Sequence, residues 1–228
     1  MRVFKFTKVT STQDLAEAIY SMVEEDEFAI VAEEQTRARG RYRRAWYSPR
    51  GGLWVTYVVK GVDAGVIPNL TLANALAIRE ALSKFLDAKI RWPNDVVVRD
   101  KKIAGTLIEA IAEGQRAVAF IGFGVDTNVR ELPKDINATS VYLELGREVD
   151  NDSLLEEIIS KTKERVGRSL KELAEEANSY SSVNDREVKL VGRDWEKKCR
   201  ALFIDFLGRL VTDCGIFEVE EVIRLEVT

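Results

Sequence analysis

Five arginines stand within eight residues, at Arg37, Arg39, Arg41, Arg43 and Arg44, in a chain whose formal net charge is −4. Arginine offers planar, bidentate geometry to carboxylate and phosphate oxygens. Like charges this dense repel one another unless an anion joins them. Gly40 lets a ligand come close to the backbone, and Trp46 offers a stacking face for a base. A second segment, Trp92-Pro-Asn-Asp95, supplies an amide and a carboxylate on a turn, because Pro93 stops any regular strand. Lys102 follows at the start of an apolar stretch that contains Gly105. Glycine weakens a strand unless a ligand or backbone approaches closely there. A third segment, Ile121-Gly-Phe-Gly-Val-Asp-Thr-Asn128, carries two alternating glycines.

Each segment has a plainer reading when taken alone. The arginine loop could be a solvated basic turn or a nucleic-acid patch. The Asn94–Asp95 turn could hold only Asx hydrogen bonds, and Lys102 could be a solvated strand end. A lone Gly-x-Gly is weak evidence for phosphate binding. No strand–GxGxxG–helix unit and no P-loop signature occurs, so those nucleotide sites are excluded. The chain has no histidine. That removes Ser-His-Asp triads, Cys-His dyads and His-ligated zinc together. Any chemistry must run on Lys, Arg, carboxylates, amides or a bound Mg²⁺.

The elements that position these residues can be read in outline. The 228 residues are 46% hydrophobic and 32% charged, above the roughly 25% charged of an average protein. That excess fits a thermophile pattern. No run of roughly 18 apolar residues occurs, and Met1-Arg-Val-Phe-Lys-Phe6 lacks a signal-peptide core. The expected compartment is the cytoplasm. Cys199 and Cys214 read as small buried hydrophobes, with a disulfide open to them in a hyperthermophile.

Alternation predicts strands over 3–7, 28–32 and 53–60. Ser11-Thr-Gln-Asp14 has the form of a capping box. The helix it opens has Leu15, Ile19, Met22 and Val23 on one face. Pro68 is expected to start a helix running to about 86, with Leu72, Leu76, Leu82 and Phe85 inward. Segments 96–98 and 102–112 form a hairpin, and a turn at 113–115 leads into 117–127. Serial hairpins imply an antiparallel or mixed sheet. A helical region capped at Asp152/Ser153 runs to about 177, and polar 178–185 reads as a linker. Short strands over 187–191, 198–205, 208–211 and 216–223 then suggest a small β-barrel. The expected fold is α+β: a mixed, largely antiparallel sheet with flanking helices over 1–183, and a small β-domain over 184–228.

In this order the segments resemble the biotin protein ligases, over essentially the whole chain. The resemblance rests on Ala38-RGRYRRAWYSPRGG-Leu53, on Arg91-WPNDVVVRDKKIAGTLI-Glu109 with its lysine-to-glycine spacing, and on Ser11-Thr-Gln-Asp14. Ile121–Asn128 and Asn137–Gly146 extend it. It implies a class II synthetase-like biotin/lipoate ligase fold with an SH3-like C-terminal domain. It also implies an enzyme that uses ATP and Mg²⁺ to make biotinyl-5'-AMP and passes biotin to a lysine of a biotin carboxyl carrier protein. Two anions must then meet in line, so catalysis is mostly positioning and charge neutralisation.

The resemblance assigns Ser11, Thr12, Gln13, Gln35, Trp54, Thr56, Gly105 and Leu107 to biotin. Arg39, Gly40 and Arg41 match a clamp on biotin and phosphate. Lys102 matches a lysine on the carboxylate and α-phosphate oxygens. Arg44, Trp46, Gly124, Asp126 and Asn128 fall on the ATP side. Asn94 and Asp95 fall where family members contact metal, phosphate or the incoming amine; no fixed metal ligand is implied, and Mg²⁺ comes mainly with the ATP phosphates. Ala38, Arg43, Arg91 and Asp126 depart from the family pattern, and Asp126 stands where asparagine is usual. No DNA-binding segment or membrane partner is expected, and a homodimer is.

Two rivals remain. A lipoate ligase shares this fold but needs a histidine-containing loop that is missing here. A nucleic-acid binder would spread its basic surface over a face, against a pI of about 5.3.

Overall fold

The computed structural model describes every residue from Met1 to Thr228. In chain order the elements begin with β1 (Arg2–Phe6), α1 (Thr12–Ile19), β2 (Glu27–Ala32), β3 (Leu53–Asp63) and α2 (Leu70–Leu82). Then come β4 (Lys89–Arg91), β5 (Asp95–Val98), β6 (Lys101–Glu113) and β7 (Arg116–Val125). Three helices follow: α3 (Val141–Leu145), α4 (Asn151–Val166) and α5 (Leu170–Ser179). The chain ends in β8 (Glu187–Val191), β9 (Glu196–Ile204), β10 (Leu210–Thr212), β11 (Gly215–Phe217) and β12 (Arg224–Val227).

A seven-stranded sheet runs β1-β2-β3-β7-β6-β5-β4. Only β1 and β2 are parallel, joined by α1; the other pairs are antiparallel. The expected α+β architecture is therefore present. β3 and β7 sit at its centre because both are runs of β-branched and aromatic residues, buried on both faces over most of their length. α2 is apolar nearly all round and lies between the sheet and α4 and α5. Its one buried amide, Asn74, is satisfied: it donates to Thr162 Oγ1 at 3.0 Å and accepts from Thr106 Oγ1 at 2.8 Å. Helix and central sheet are thereby fixed in register.

A second sheet of order β11-β10-β9-β8-β12 completes the chain. Its buried residues Val188, Leu190, Ala201, Ile204 and Leu210 belong to the same hydrophobic cluster as Ile90, Trp92, Leu173 and Val183 of the larger body. Trp92 Nε1 also donates to Gly208 O at 2.8 Å across this contact.

Several expected boundaries move. Residues 64–69 form a 3-10 turn around Pro68, so the helix begins at Leu70 and stops at Leu82, short of Phe85. The region up to 177 is two helices, capped by Asp150 and by a Ser169–Glu172 capping box. Met22 lies past α1 and is 79% exposed. Ser11 does accept from Asp14 N at 3.3 Å, but the Asp14 carboxylate turns away to Arg39, leaving half a capping box. Residues 178–185 are not a loose linker: Ser182 N donates to Ile90 O, and Asn178 brackets Ile204 through both amide atoms. The expected strand over 216–223 is divided between β11 and a 3-10 turn at Val219–Glu221. Cys199 and Cys214 are joined as a disulfide, and Cys214 is exposed, so the reading of two buried thiols fails.

Candidate active site

The register of four strands clears a trough on one face of the sheet. Trp54 of β3 stands opposite Gly124 of β7, which stands opposite Gly105 of β6, itself opposite Asp95 of β5. The next row on that face runs Thr56, Gly122, Leu107. Successive residues of a strand point to opposite faces, so two glycines two apart remove two side chains from one face. What fills the space differs between the rows. A Cβ on Gly122 would lie 2.5 Å from Gln13 Oε1, whereas one on Gly124 would lie 2.7 Å from Trp46 Nε1 and 3.1 Å from Trp54.

The Gln13 end is a closed polar network. Thr12 N and Oγ1 donate to Gln35 Oε1 at 2.8 and 3.1 Å. Thr56 Oγ1 lies 3.0 Å from both Thr12 Oγ1 and Gln13 Oε1. Gln13 Nε2 donates to Phe120 O at 3.2 Å, and Gln35 Nε2 to Ser48 Oγ at 3.1 Å. Ser11 caps α1 beside them and is buried. Hydroxyls and amides can exchange these partners for a ureido-type ring without burying a charge. Trp54 closes the trough from below, fully buried, its Nε1 donating to Pro49 O at 2.8 Å.

At the other end Lys102 Nζ is ion-paired with Asp95, and Arg91 Nη2 meets the same carboxylate at 3.0 Å. Burial works to raise the Asp95 carboxyl, but Lys102 and Arg91 outweigh it and hold it below its usual range. Two cations share one anion, leaving one positive charge for an incoming anion. Asn94 donates to Thr106 O at 2.8 Å, so it pins the turn onto β6 instead of projecting into the cleft.

The arginine loop is folded on itself. Gly40 N donates to Arg44 O at 2.8 Å, and Trp46 N to Ala38 O at 2.9 Å. Tyr42 and Arg43 at its tip both adopt left-handed backbone, at φ 56° and 57°. Ala38 is buried beneath it. Arg39 pairs with Glu109 at 2.6 Å and with Asp14 at 2.9 Å. The Glu109 hydrogen bond raises the Arg39 guanidinium, against burial, and Asp14 adds to the rise. Arg41 is not aimed at the trough. Its Nη2 bonds the carbonyls of Val219 and, at 3.1 Å, Val222, while Tyr42 Oη donates to Glu220 O at 2.8 Å. Arg37, Arg43 and Arg44 are exposed.

On the expected nucleotide side, Trp46 lies over Gly124 with Lys102 Nζ 4.6 Å from its ring centroid. Its Nε1 is buried without a partner. Asp126 Oδ1 is also buried and unpartnered. Burial pushes the Asp126 carboxyl up to about 8, with Lys102 opposing, which favours its neutral form at pH 7. A neutral acid has one O–H donor and one carbonyl acceptor, as an amide has donor and acceptor. Asn128 corrects its expectation: both amide atoms are taken, Nδ2 by Val149 O and Oδ1 by Val149 N, each at 2.9 Å.

The alternation of Gly122 with Gly124 is visible in the sequence, but only Gly124 is assigned a role there. Asp14 and Glu109 close two of the quoted motifs, yet nothing in either motif shows that they share Arg39 as partner.

A glycine-cleared trough on a mostly antiparallel sheet, overhung by a cationic loop, is the candidate ligand site of this α+β protein. The chain belongs to the Biotin/lipoate A/B protein ligase family, whose model matches residues 3–126. The bifunctional ligase/repressor BirA of Bacillus subtilis is 30% identical over 161 residues, which are 66% of this chain and 49% of that protein. The biotin–[acetyl-CoA-carboxylase] ligase of Mycobacterium tuberculosis is 32% identical over 147 residues, 60% of this chain and 53% of its own length. The chain thus spans about half the length of the curated relatives it matches. Among solved structures, the Aquifex aeolicus biotin protein ligase in complex with biotin and ATP superposes with a TM-score of 0.82 at 26% identity, covering 100% of this chain and 99% of that one. The Leishmania major biotin protein ligase in complex with biotinyl-5-AMP gives 0.68 at 26% identity, covering 100% and 98%.

Proposed function

We propose that the protein adenylates biotin with ATP and then biotinylates a lysine of a biotin carboxyl carrier protein domain. The observation that carries this reading is Lys102 standing at the end of the trough row, against Trp46 and beside Gly105. A carboxylate lying along the trough would present its oxygens there, and a base stacked on Trp46 would bring its α-phosphate to the same ammonium. The biotin carboxylate oxygen bonds to the α-phosphorus, and the α–β bridging bond breaks, with pyrophosphate leaving on its electron pair. A neutral amine of the carrier then attacks the acyl carbon. The C–N bond forms, AMP leaves, and the amine gives up a proton. Lys102 holds the two anions together in the first step, where their repulsion is the obstacle. The Thr12–Gln35–Thr56 network is suited to a ureido ring, and Leu107 to an apolar chain. Support comes from the relatives described with biotin, ATP and biotinyl-5-AMP.

The residues present do not form a resident Mg²⁺ site. Asp95 is taken by Lys102 and Arg91, and Asp14 and Glu109 by Arg39. Mg²⁺ belongs here to the nucleotide, as ATP's own counter-ion. In the same reading the protein works in the cytoplasm, where its ATP is, and no helix is long and apolar enough to cross a membrane. A homodimer through the sheet edge at β1 completes it; β4 at the other edge is already bridged by Ser181.

The test is exchange of labelled pyrophosphate into ATP with biotin, with lipoate or with neither. Biotin-dependent exchange is expected. Exchange with lipoate alone gives the site to the other acid of the family, and no exchange with either acid overturns the reading.

A further inference from the structure

We propose that Glu109 is a positioning residue, and that Arg39 is a clasp fastening the arginine loop to both walls of the trough. Arg39 would then not be the free cation that neutralises the reacting anions. The inference deepens the functional reading above and rests on it only for its kinetic arm.

Glu109 lies on β6 in line with Gly105 and Leu107, on the trough face. Asp14 lies on α1, on the opposite wall. Arg39 spans the two: Nη1 donates to Glu109 at 2.6 Å, and Nε and Nη2 reach one Asp14 oxygen at 3.2 and 2.9 Å. The Arg39 side chain is 23% exposed, less than either acid, at 38% for Glu109 and 49% for Asp14. An exposed ion pair contributes little, but a shielded, multiply hydrogen-bonded arginine between two acids is the favourable case. Charge decides its role. One guanidinium against two carboxylates leaves a net negative triad, which repels a phosphate instead of clamping it. Lys102 and Arg91 against the single Asp95 leave the opposite sign at the other end of the trough. The anion is thus held at the Lys102 end, and the Arg39 end does mechanical work. Glu109 Oε2 is buried with no partner. Without Arg39, Glu109 would stand as an unpaired charge facing the trough, so the two residues depend on each other.

The experiment compares the wild-type protein with Glu109→Gln, Arg39→Gln and the double variant. Amide hydrogen exchange across residues 36–46 is measured without ligands, and dissociation of the biotin adenylate is measured in single turnover. Each single change is expected to raise loop exchange and adenylate release several-fold. The double variant should match the singles without a further rise, because both remove one clasp. Arg39→Lys should restore part of the protection, since one ammonium can still reach Glu109. Unchanged loop exchange in Glu109→Gln overturns the proposal. So does a release defect confined to the Arg39 variants, or one that adds fully in the double. If no adenylate forms in the wild type but loop exchange behaves as expected, the clasp stands and the biotin reading falls.

Discussion

The Lys102 ammonium lies 4.6 Å from the centroid of the Trp46 ring while ion-paired to Asp95 on the adjoining strand. One cation thus touches the end of the arginine loop and the Trp-Pro-Asn-Asp turn, which are distant in the chain. Replacing Lys102 with Met keeps the length of the side chain and removes its charge. Loss of one positioned charge at a reacting anion typically costs about 100- to 1000-fold. Biotin-dependent pyrophosphate exchange should fall by that order while the circular dichroism spectrum is retained. A fall of less than about ten-fold, roughly 1.4 kcal/mol, would show that Lys102 is only a strand end.

Asp126 gives a pH dependence with a definite sign. Its carboxyl is raised from 3.8 to about 8 by burial, with Lys102 opposing. Between those values the folded chain keeps a proton that the unfolded chain has lost. Stability is full below pH 4, is lost as pH rises towards 8, and is flat in this respect above it. The loss amounts to as much as about 1.4 kcal/mol for each pH unit in the window. Asp126→Asn has no proton to lose, so its urea midpoint relative to wild type should climb from pH 4 to 8 and then level. Parallel midpoint curves would place an ionised carboxylate at this site.

Gly124→Ala puts a Cβ 2.7 Å from the Trp46 indole and 3.1 Å from Trp54. Trp54 is fully buried and cannot yield, so Trp46 must move. Overpacking of this kind costs about 1–3 kcal/mol, and the displaced ring should also weaken ATP binding by calorimetry. Gly167→Ala is the control, since a Cβ there meets nothing within 4 Å. Equal midpoints for the two variants would mean that the trough has slack.

Arg41 is predicted to act as an anchor. Its guanidinium is held by the carbonyls of Val219 and Val222. Hydrogen bonds from a charged group are each worth about 1.5–3 kcal/mol, whereas surface substitutions usually stay within about 0.5 kcal/mol. Arg41→Ala should therefore lower the denaturation midpoint clearly, and Arg37→Ala hardly at all. The comparison fails if the two variants are alike.

Much of the sheet was legible because its strands are long runs of Val, Ile and aromatic residues with short turns between them. The Ser169–Glu172 capping box was also legible in principle, and it divides α4 from α5. Pro68 misled because a 3-10 turn, not the α-helix, holds it. At the site, residue types were readable but partners were not. Arg39 finds Asp14 and Glu109 at separations of 25 and 70 residues, and no local pattern encodes such distances. The same holds for Arg41, which the resemblance assigns to the substrates and the structure engages with the 3-10 turn before β12. Asn128 failed for a related reason: an amide in a glycine-rich motif looks free until Val149 is seen to occupy both of its ends.

Val188, Leu190, Ala201 and Leu210 pack in one cluster with Ile90 and Trp92, and the tip of the arginine loop bonds to residues 219–222. The C-terminal sheet is therefore a poor cassette. A graft from a relative would have to bring with it the apolar partner of Trp92 and a row of carbonyls at the right height for Arg41 and Tyr42. Chimeras that split this chain between α5 and β8 will inherit a loop without its mooring, and any drift in one half has to be matched by the other.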